Sequence, residues 1–263
     1  MPTLFYTATP CFEKHTAKPI LITLQEMAAT IGLTLTPIPL TQKVGQKWLK
    51  QVPEGQLLLD TDGSLSLIAN GMKVNPNWQG LQQRVVRAGK KTELLLKVAK
   101  LQAGMSVIDA TAGFGHDSLI LASTGSHVTM VEQNPLMFLL LIAEQHKMQH
   151  NPNWQKLLAR IDIYFGQMNE ILPTLPKINR VYLDPMFPHD SYKSAVSKSM
   201  QVLHNLVAPP SLTDEIAMLD MAKHQLTAEG RVIVKRPKNA PFLANCPPIE
   251  SASNDVVRFD SYH

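Results

Sequence analysis

The 263 residues are enough for one large domain, or for a full domain with a small companion. A hydrophobic share of 44% is ordinary for a soluble globular chain, and the longest apolar run, Leu136 to Ala143, is too short to span a membrane. A net charge of +4 permits a polyanionic partner without demanding one, and two distant cysteines, Cys11 and Cys246, argue against a disulfide framework and for a reduced, cytoplasmic setting. The N-terminus, "MPTLFYTATPCFEKH", lacks the basic and then apolar pattern of a signal peptide.

The first part of the chain predicts a small α/β subdomain, residues 1–75, followed by a larger domain over 76–263. "ILITLQEMAATIGLTL" has a helical middle that ends near Gly32. "QLLLDTDGSLSLIAN" predicts strands at Gln56 to Asp60 and Ser64 to Ala69, joined through Asp-Gly. "VNPNWQG", residues 74–80, clusters Asn, Pro and Gly and marks the boundary. A helix follows from about Thr92, with Thr92 as its expected cap, because Leu94, Leu95, Val98 and Leu101 fall at helical spacing.

From there strands and helices alternate. "SVIDA", "HVTMVE", "IDIYFG", "RVYLD", "RVIVKR" and "VVRFDSY" read as strands. "DSLILAST", "PLMFLLLIAEQHKM", "NEILPTL", "SAVSKSMQVLHNLV" and "LTDEIAMLDMAKHQL" read as helices, the second with proline in its first turn. Such alternation predicts a mainly parallel sheet with helices on both faces, whose ligands bind at the carboxyl ends of the strands.

The strand ends are where the chemistry collects. "DATAGFGHDS", from Asp109 to Ser118, carries Gly113 and Gly115, which allow a tight turn and close approach of a ligand. A plain glycine-rich turn would look the same. Glu132, at the end of the next strand, can accept hydrogen bonds from both hydroxyls of a ribose. Ser118 stands where a dinucleotide fingerprint wants a third small residue, which disfavours NAD. Asp117 suits a positively charged ligand end, such as an ammonium or a sulfonium, better than a pyrophosphate. After the third strand, Gln167 can offer an amide to an adenine edge and Met168 an apolar face.

The fourth strand runs into "DPMFPH". Asp184 is an acceptor, the Asp184-Pro185 step fixes the backbone, and Phe187 offers a flat face. An amino group on a planar base can be held by such acceptors while its ring stacks on Phe187. That orientation favours positive charge developing on a poorly nucleophilic nitrogen, with no covalent enzyme nucleophile and no metal.

"VIDATAGFGHDSLILASTGSHVTMVEQNP", "VYLDPMFPH" and "VIVKRPKNAPFLAN" together resemble the RsmJ family of bacterial methyltransferases, closely over about residues 73–262. The resemblance implies a Rossmann-like class I fold with a seven-stranded, mainly parallel sheet, in which "VVRFDSYH" pairs antiparallel beside "RVIVKR". It implies transfer of a methyl group from S-adenosylmethionine, leaving S-adenosylhomocysteine, to the N2 amine of a guanine near the 3′ end of 16S ribosomal RNA. By position, the cofactor site takes in His116 and Asp117, Glu132 and Gln133, Gln167 and Met168, and Asp184, with Asp109, Gly113 and Gly115 in the turn. The family often has arginine where His116 and Gln133 stand, and small hydroxyl residues where Gln167 and Met168 stand. Asp184, Pro185 and Phe187 are the expected catalytic set.

Two basic clusters are expected to contact RNA phosphates: Lys235, Arg236 and Lys238 after a late strand, and Arg84, Arg87, Lys90 and Lys91 before the first core strand. A solvated face is the competing reading for each. His146 and His150 have the i, i+4 spacing of a zinc pair but lack further ligands nearby, so a surface pair is expected. Met137 and Phe138 are expected in the core, and Cys246 has no assigned role. The rival functions are an amino-methyltransferase acting on protein glutamine or DNA adenine, a non-catalytic ribosome-assembly or RNA-binding protein, and an NAD oxidoreductase. Labelling from radioactive S-adenosylmethionine separates the first two from the expected reaction, and a cofactor titration separates the third.

Overall fold

A computed structural model describes residues 2–7, 17–187 and 206–263. The helix expected over 194–207 lies outside the described residues as far as 205, as do Pro188 and His189 of the proline-rich motif and Cys11.

In chain order the strands are β1 (Thr3–Thr7), β2 (Thr36–Leu40), β3 (Gln56–Leu59), β4 (Leu65–Ala69), β5 (Met72–Val74) and β6 (Ser106–Asp109). They continue with β7 (His127–Glu132), β8 (Ile161–Phe165), β9 (Ile178–Leu183), β10 (Leu226–Pro237), β11 (Glu250–Ser253) and β12 (Val257–Tyr262). The described helices are α1 (Ala17–Thr30), α2 (Gln46–Gln51), α3 (Gln82–Arg87), α4 (Leu94–Ala99), α5 (His116–Ala122), α6 (Pro135–Met148), α7 (Pro152–Leu158), α8 (Met168–Ile171) and α9 (Leu212–His224).

The chain divides into two compact units. One joins Met1–Gln79 to Asn134–Leu158; the other joins Gly80–Gln133 to Ala159–His263. The division does not follow chain order, because α6 and α7 belong with the N-terminal residues. The first unit carries a five-stranded sheet of order β2-β1-β3-β4-β5. The predicted Asp-Gly hairpin is its β3–β4 pair, antiparallel, with Gly63 in the left-handed region at φ 83° and the Asp60 N–H donating to the Ser64 carbonyl at 2.9 Å. Helix α6 packs on α1 and β4. It starts where the sequence says it should: the Asn134 side chain accepts from the Leu136 and Met137 amides, and Pro135 takes a position that needs no donor. Met137 and Phe138 are buried, as expected of core residues.

The second unit carries a seven-stranded sheet of order β11-β12-β10-β9-β6-β7-β8. Pairs β10–β9, β9–β6, β6–β7 and β7–β8 are parallel; β10–β12 and β11–β12 are antiparallel. The expected antiparallel pairing of "VVRFDSYH" with "RVIVKR" is therefore present, but not as an edge hairpin: β11 lies between the two in sequence, pairs with β12 and forms the sheet edge. Its core gathers Ile108, Val131, Val181, Leu183, Val232 and Val234 from the strands with Leu219 and Ala222 from α9. Strand order runs from β6 outward to β8 on one side, and then restarts on the other side at β9. A ligand crevice opens at such a reversal, outside the carboxyl ends of β6 and β9.

One local expectation fails. Thr92 does not cap α4: its hydroxyl accepts from the Gly89 N–H at 2.9 Å and faces the Arg87 and Gly89 carbonyls, so it closes the preceding turn. Glu93 takes the cap position, without a side-chain cap bond. A hydroxyl that can reach the turn behind it is unavailable to the helix ahead.

Candidate active site

Strand β6 ends at Asp109, which is 1% exposed. Its carboxylate accepts from the Ser118 hydroxyl and, at 3.1 Å, from the Thr111 N–H. Burial pushes its pKa up to about 7, and the charges of Asp117 and Asp184 add to the rise while the two hydrogen bonds oppose it. The turn that follows needs its glycines for conformation rather than space: Gly113 and Gly115 sit at φ 54° and 72°.

Glu132, buried at the end of β7, accepts from the Gly113 N–H at 2.9 Å. The acid and the glycine turn thus meet directly. The Gly166 N–H donates to the Glu132 carbonyl at 3.1 Å, which brings the end of β8 alongside. Beyond it, Gln167 is exposed and Met168 packs, partly buried, against the core. His116 opens α5 with its ring 5.8 Å from that of Phe114, and Gln133 is exposed.

The end of β9 is tied to the same turn, since the Asp184 N–H donates to the Thr111 hydroxyl at 2.6 Å. Pro185 and Phe187 are buried. The Asp184 carboxylate accepts from the Lys235 ammonium at 2.8 Å. The same ammonium donates to Asp117 at 2.8 Å, and Asp117 also accepts from the Tyr182 hydroxyl at 2.7 Å. Arg84 approaches Asp117 to 4.0 Å.

The electrostatics follow from this arrangement. Burial pulls Asp117 upward, but Lys235, Tyr182 and Arg84 outweigh it and hold the carboxyl below its ordinary range. Asp184 stays above its ordinary range, because burial and the Asp117 charge outweigh Lys235. Burial opposes the charge on Lys235, yet the two carboxylates prevail and raise its pKa. Burial, with the surrounding carboxylates, pushes the Tyr182 phenol well up, so it remains a donor. Asp117 and Asp184 together favour a cationic ligand, and the half-buried Asp184 carboxylate is an acceptor suited to an amine.

The late basic cluster corrects the reading from sequence. Arg236 is 3% exposed; its guanidinium lies 4.3 Å over the Phe187 ring and donates to Glu215 at 2.8 Å and to the Pro241 carbonyl at 3.0 Å. It supports Phe187 and is not a surface phosphate contact. Lys235 likewise faces carboxylates rather than open solvent. The cause is strand alternation: adjacent residues of β10 point to opposite faces, so two neighbours in a basic run have separate burials. Lys238 does reach the surface, 3.5 Å from Asp255. Arg84, Arg87, Lys90 and Lys91 are all exposed, though Arg84 makes two hydrogen bonds to Glu93.

Tyr182, Thr111 and Glu215 were not singled out for the site from sequence, and Ser118 was weighed only against NAD. A signal existed for the first: Tyr182 lies in β9 and Asp184 directly follows that strand two residues on, so extended backbone would put them on one face. Among the described residues no group of three or more His, Cys, Asp or Glu side chains is placed to hold a metal. The His146 and His150 rings lie edge to face at 5.4 Å. No described helix is long and apolar enough to cross a membrane.

A Rossmann-like sheet with a glycine turn, an acid after the second strand of the series and an Asp-Pro-Met-Phe strand end defines a nucleoside-cofactor methyltransferase. Comparison with known proteins agrees. Residues 42–263 match a family described as "Putative SAM-dependent methyltransferase". The chain is 47% identical to ribosomal RNA small subunit methyltransferase J of Psychrobacter arcticus, over 92% of this chain and 88% of the relative. It is 38% identical to the protein of the same name from Acinetobacter baylyi, over 84% and 85%. A crystal structure of a SAM-dependent methyltransferase from Neisseria gonorrhoeae superposes with a TM-score of 0.71 at 30% identity, covering 99% of this chain and 95% of that one. The chain belongs to the S-adenosylmethionine-dependent methyltransferase family, among the relatives that bear the name ribosomal RNA small subunit methyltransferase J.

Proposed function

We propose that this protein methylates the N2 exocyclic amine of a guanine near the 3′ end of 16S ribosomal RNA, in the cytoplasm. The observation that carries the reading is the end of β9. There Asp184 stands beside the glycine turn and shares the Lys235 ammonium with Asp117, while Phe187 is supported from behind by Arg236. The name borne by relatives at up to 47% identity supports the choice of ribosomal RNA over protein or DNA.

The residues present fit S-adenosylmethionine. The Glu132 carboxylate lies against the turn where ribose hydroxyls need acceptors, and Asp117 and Asp184 offer carboxylates to a sulfonium and an ammonium, while the buried Asp109 holds the turn through Ser118 and Thr111. Gly113, Gly115, His116, Gln133, Gln167 and Met168 frame the rest in this reading. When bound, the cofactor supplies an electrophilic methyl group. The chain's own part is to hold the amine. Asp184 accepts one of its N–H bonds, which aims the nitrogen lone pair and stabilises positive charge as it develops. The Pro185 region completes the backbone shape, and Phe187, whose ring carries the Arg236 guanidinium over one face, is read as offering its other flat face to a guanine exposed from the RNA. Exposed Arg84, Arg87, Lys90, Lys91 and Lys238 are available for phosphates. The catalytic parts all fall within 76–263, which we read as the methyltransferase domain, with 1–75 as the smaller N-terminal subdomain, to whose compact unit Asn134–Leu158 is added.

The test maps N2-methylguanine in 16S RNA from cells with and without the protein, then measures single-turnover transfer. Deletion should erase one mark near the 3′ end, and restoring the gene should restore it. Asp184→Asn should slow transfer by about 3 kcal/mol of lost transition-state stabilisation with little change in cofactor affinity. An unchanged RNA mark, or a near-parental rate in Asp184→Asn, would overturn the substrate or the mechanism respectively.

A further inference from the structure

Lys235 is unexplained by an RNA-binding role, because its ammonium lies 2.8 Å from a carboxylate oxygen of both Asp117 and Asp184. Among the described residues, the hydrogen bond to the Asp184 carboxylate comes from Lys235. The fold builds this contact. Val234 pairs with Leu183 in the β10–β9 ladder, so the next residues, Lys235 and Asp184, emerge side by side at the strand ends. Asp117 reaches the same ammonium from the first turn of α5.

The surroundings say what the ammonium is for. Asp109 from β6, Asp117 from α5 and Asp184 from the end of β9 are three acids in one small region. The Tyr182 hydroxyl gives its hydrogen bond to Asp117, and Arg84 comes no nearer than 4.0 Å, also to Asp117. Two adjacent carboxylates without a cation between them cannot both stay ionised. A compact ammonium with three donors can serve both at once, whereas a planar fork is suited to one carboxylate at a time.

We infer that Lys235 is a positioning residue for methyl transfer: its ammonium clasps Asp184 to Asp117 and so holds the Asp184 carboxylate in place as an acceptor for the substrate amine. The inference rests on the reading of Asp184 given above. Lys235 itself touches no reacting atom in this scheme.

The sign of the effect is definite. Without the ammonium, Asp184 feels burial and the Asp117 charge unopposed, and it ionises only at higher pH. In Lys235→Met, the acid limb of the single-turnover rate profile should move up by about 1–3 pH units, the usual effect of an opposite charge at this range. Lys235→Arg should move the limb less than Lys235→Met does, because a guanidinium keeps the charge but is suited to one of the two carboxylates at a time. A limb unmoved in Lys235→Met, with Asp184→Asn still slow, overturns the role of Lys235 alone. A fast Asp184→Asn overturns the reading beneath it. Thermal melting gives a second readout that does not need activity. The melting gap between parent and Lys235→Met should shrink as pH falls through the carboxylate range, because protonated acids need no counter-ion. A gap that stays constant with pH overturns the inference even if the variant is too unstable to assay.

Discussion

In the unit formed by Met1–Gln79 and Asn134–Leu158, the buried polar residues among those described are Ser66 and Glu144, and Glu144 has a plain structural partner, the Trp78 N–H at 2.7 Å. The other unit buries Asp109, Glu132, Arg180, Arg236 and Asp260, besides several neutral polar residues. Both units have layered α/β architecture and apolar cores, so architecture does not account for the difference. Taking a charge out of water is costly, and a buried ion pair is often no more stabilising than apolar residues of the same volume. The second unit therefore carries charges that packing did not require. Some of them organise the fold. Arg180 donates to the Ala99 carbonyl at 2.6 Å, and Arg258 donates to the fully buried Asp260 at 2.8 Å. Others, Asp109, Glu132 and Arg236, lie toward the carboxyl ends of β6, β7 and β10, where a parallel sheet presents its ligand site. Position within the sheet distinguishes the two groups.

The contrast can be broken most severely at Arg236. Arg236→Ala should cost about 3–5 kcal/mol of stability, because it leaves Glu215 without its cation and Phe187 without its support. Thermal or denaturant unfolding checks this, and parental stability would return Arg236 to a solvent-facing role. Glu132→Ala should do less to folding and more to the ligand. It should weaken S-adenosylmethionine binding by about 1–3 kcal/mol, the range for hydrogen bonds made by a charged acceptor. Calorimetry on the folded variant decides, and unchanged affinity removes Glu132 from the cofactor site.

Asp109 sharpens the comparison through a slope with pH, small over any single pH unit, rather than through a fixed loss. Its folded pKa of about 7 lies above the ordinary 3.8, so the native state keeps a proton that the unfolded chain gives up. The stability associated with that proton is complete below the ordinary value and is lost as pH rises toward about 7. The slope is at most about 1.4 kcal/mol per pH unit. Asp109→Asn has no such proton to lose. The stability of the variant relative to the parent should therefore increase steadily over that window, and a difference that is flat with pH would show that Asp109 ionises normally.

Much of the second unit was legible because its signals are local. The alternation that predicted β6 to β10 depends on which face each residue must bury. Helix α6 was legible to its ends because Asn134 and Pro135 act on residues within one turn of themselves. Strand β11 was missed: "ESAS" has no apolar pattern, and it is a strand through its pairing with β12. The glycine turn, Glu132 and Asp184 were found because each ends a strand, where parallel sheets concentrate ligand contacts. The roles of Lys235 and Arg236 were not. A run of adjacent charges looks the same on a solvated edge and on a strand whose two faces are both covered.

The sequence by itself determined the strand–helix alternation, the glycine turn with its acid, and the Asp-Pro-Met-Phe terminus, since these are set by side-chain periodicity and backbone freedom over a few residues. Only the tertiary structure decided that Lys235 meets Asp117, 118 positions away, and that Arg236 lies over Phe187. Those contacts depend on strand order and on the register of β10 against β9. A shift of one residue in that register would exchange the faces of Lys235 and Arg236, putting a guanidinium toward the acids and an ammonium toward Phe187.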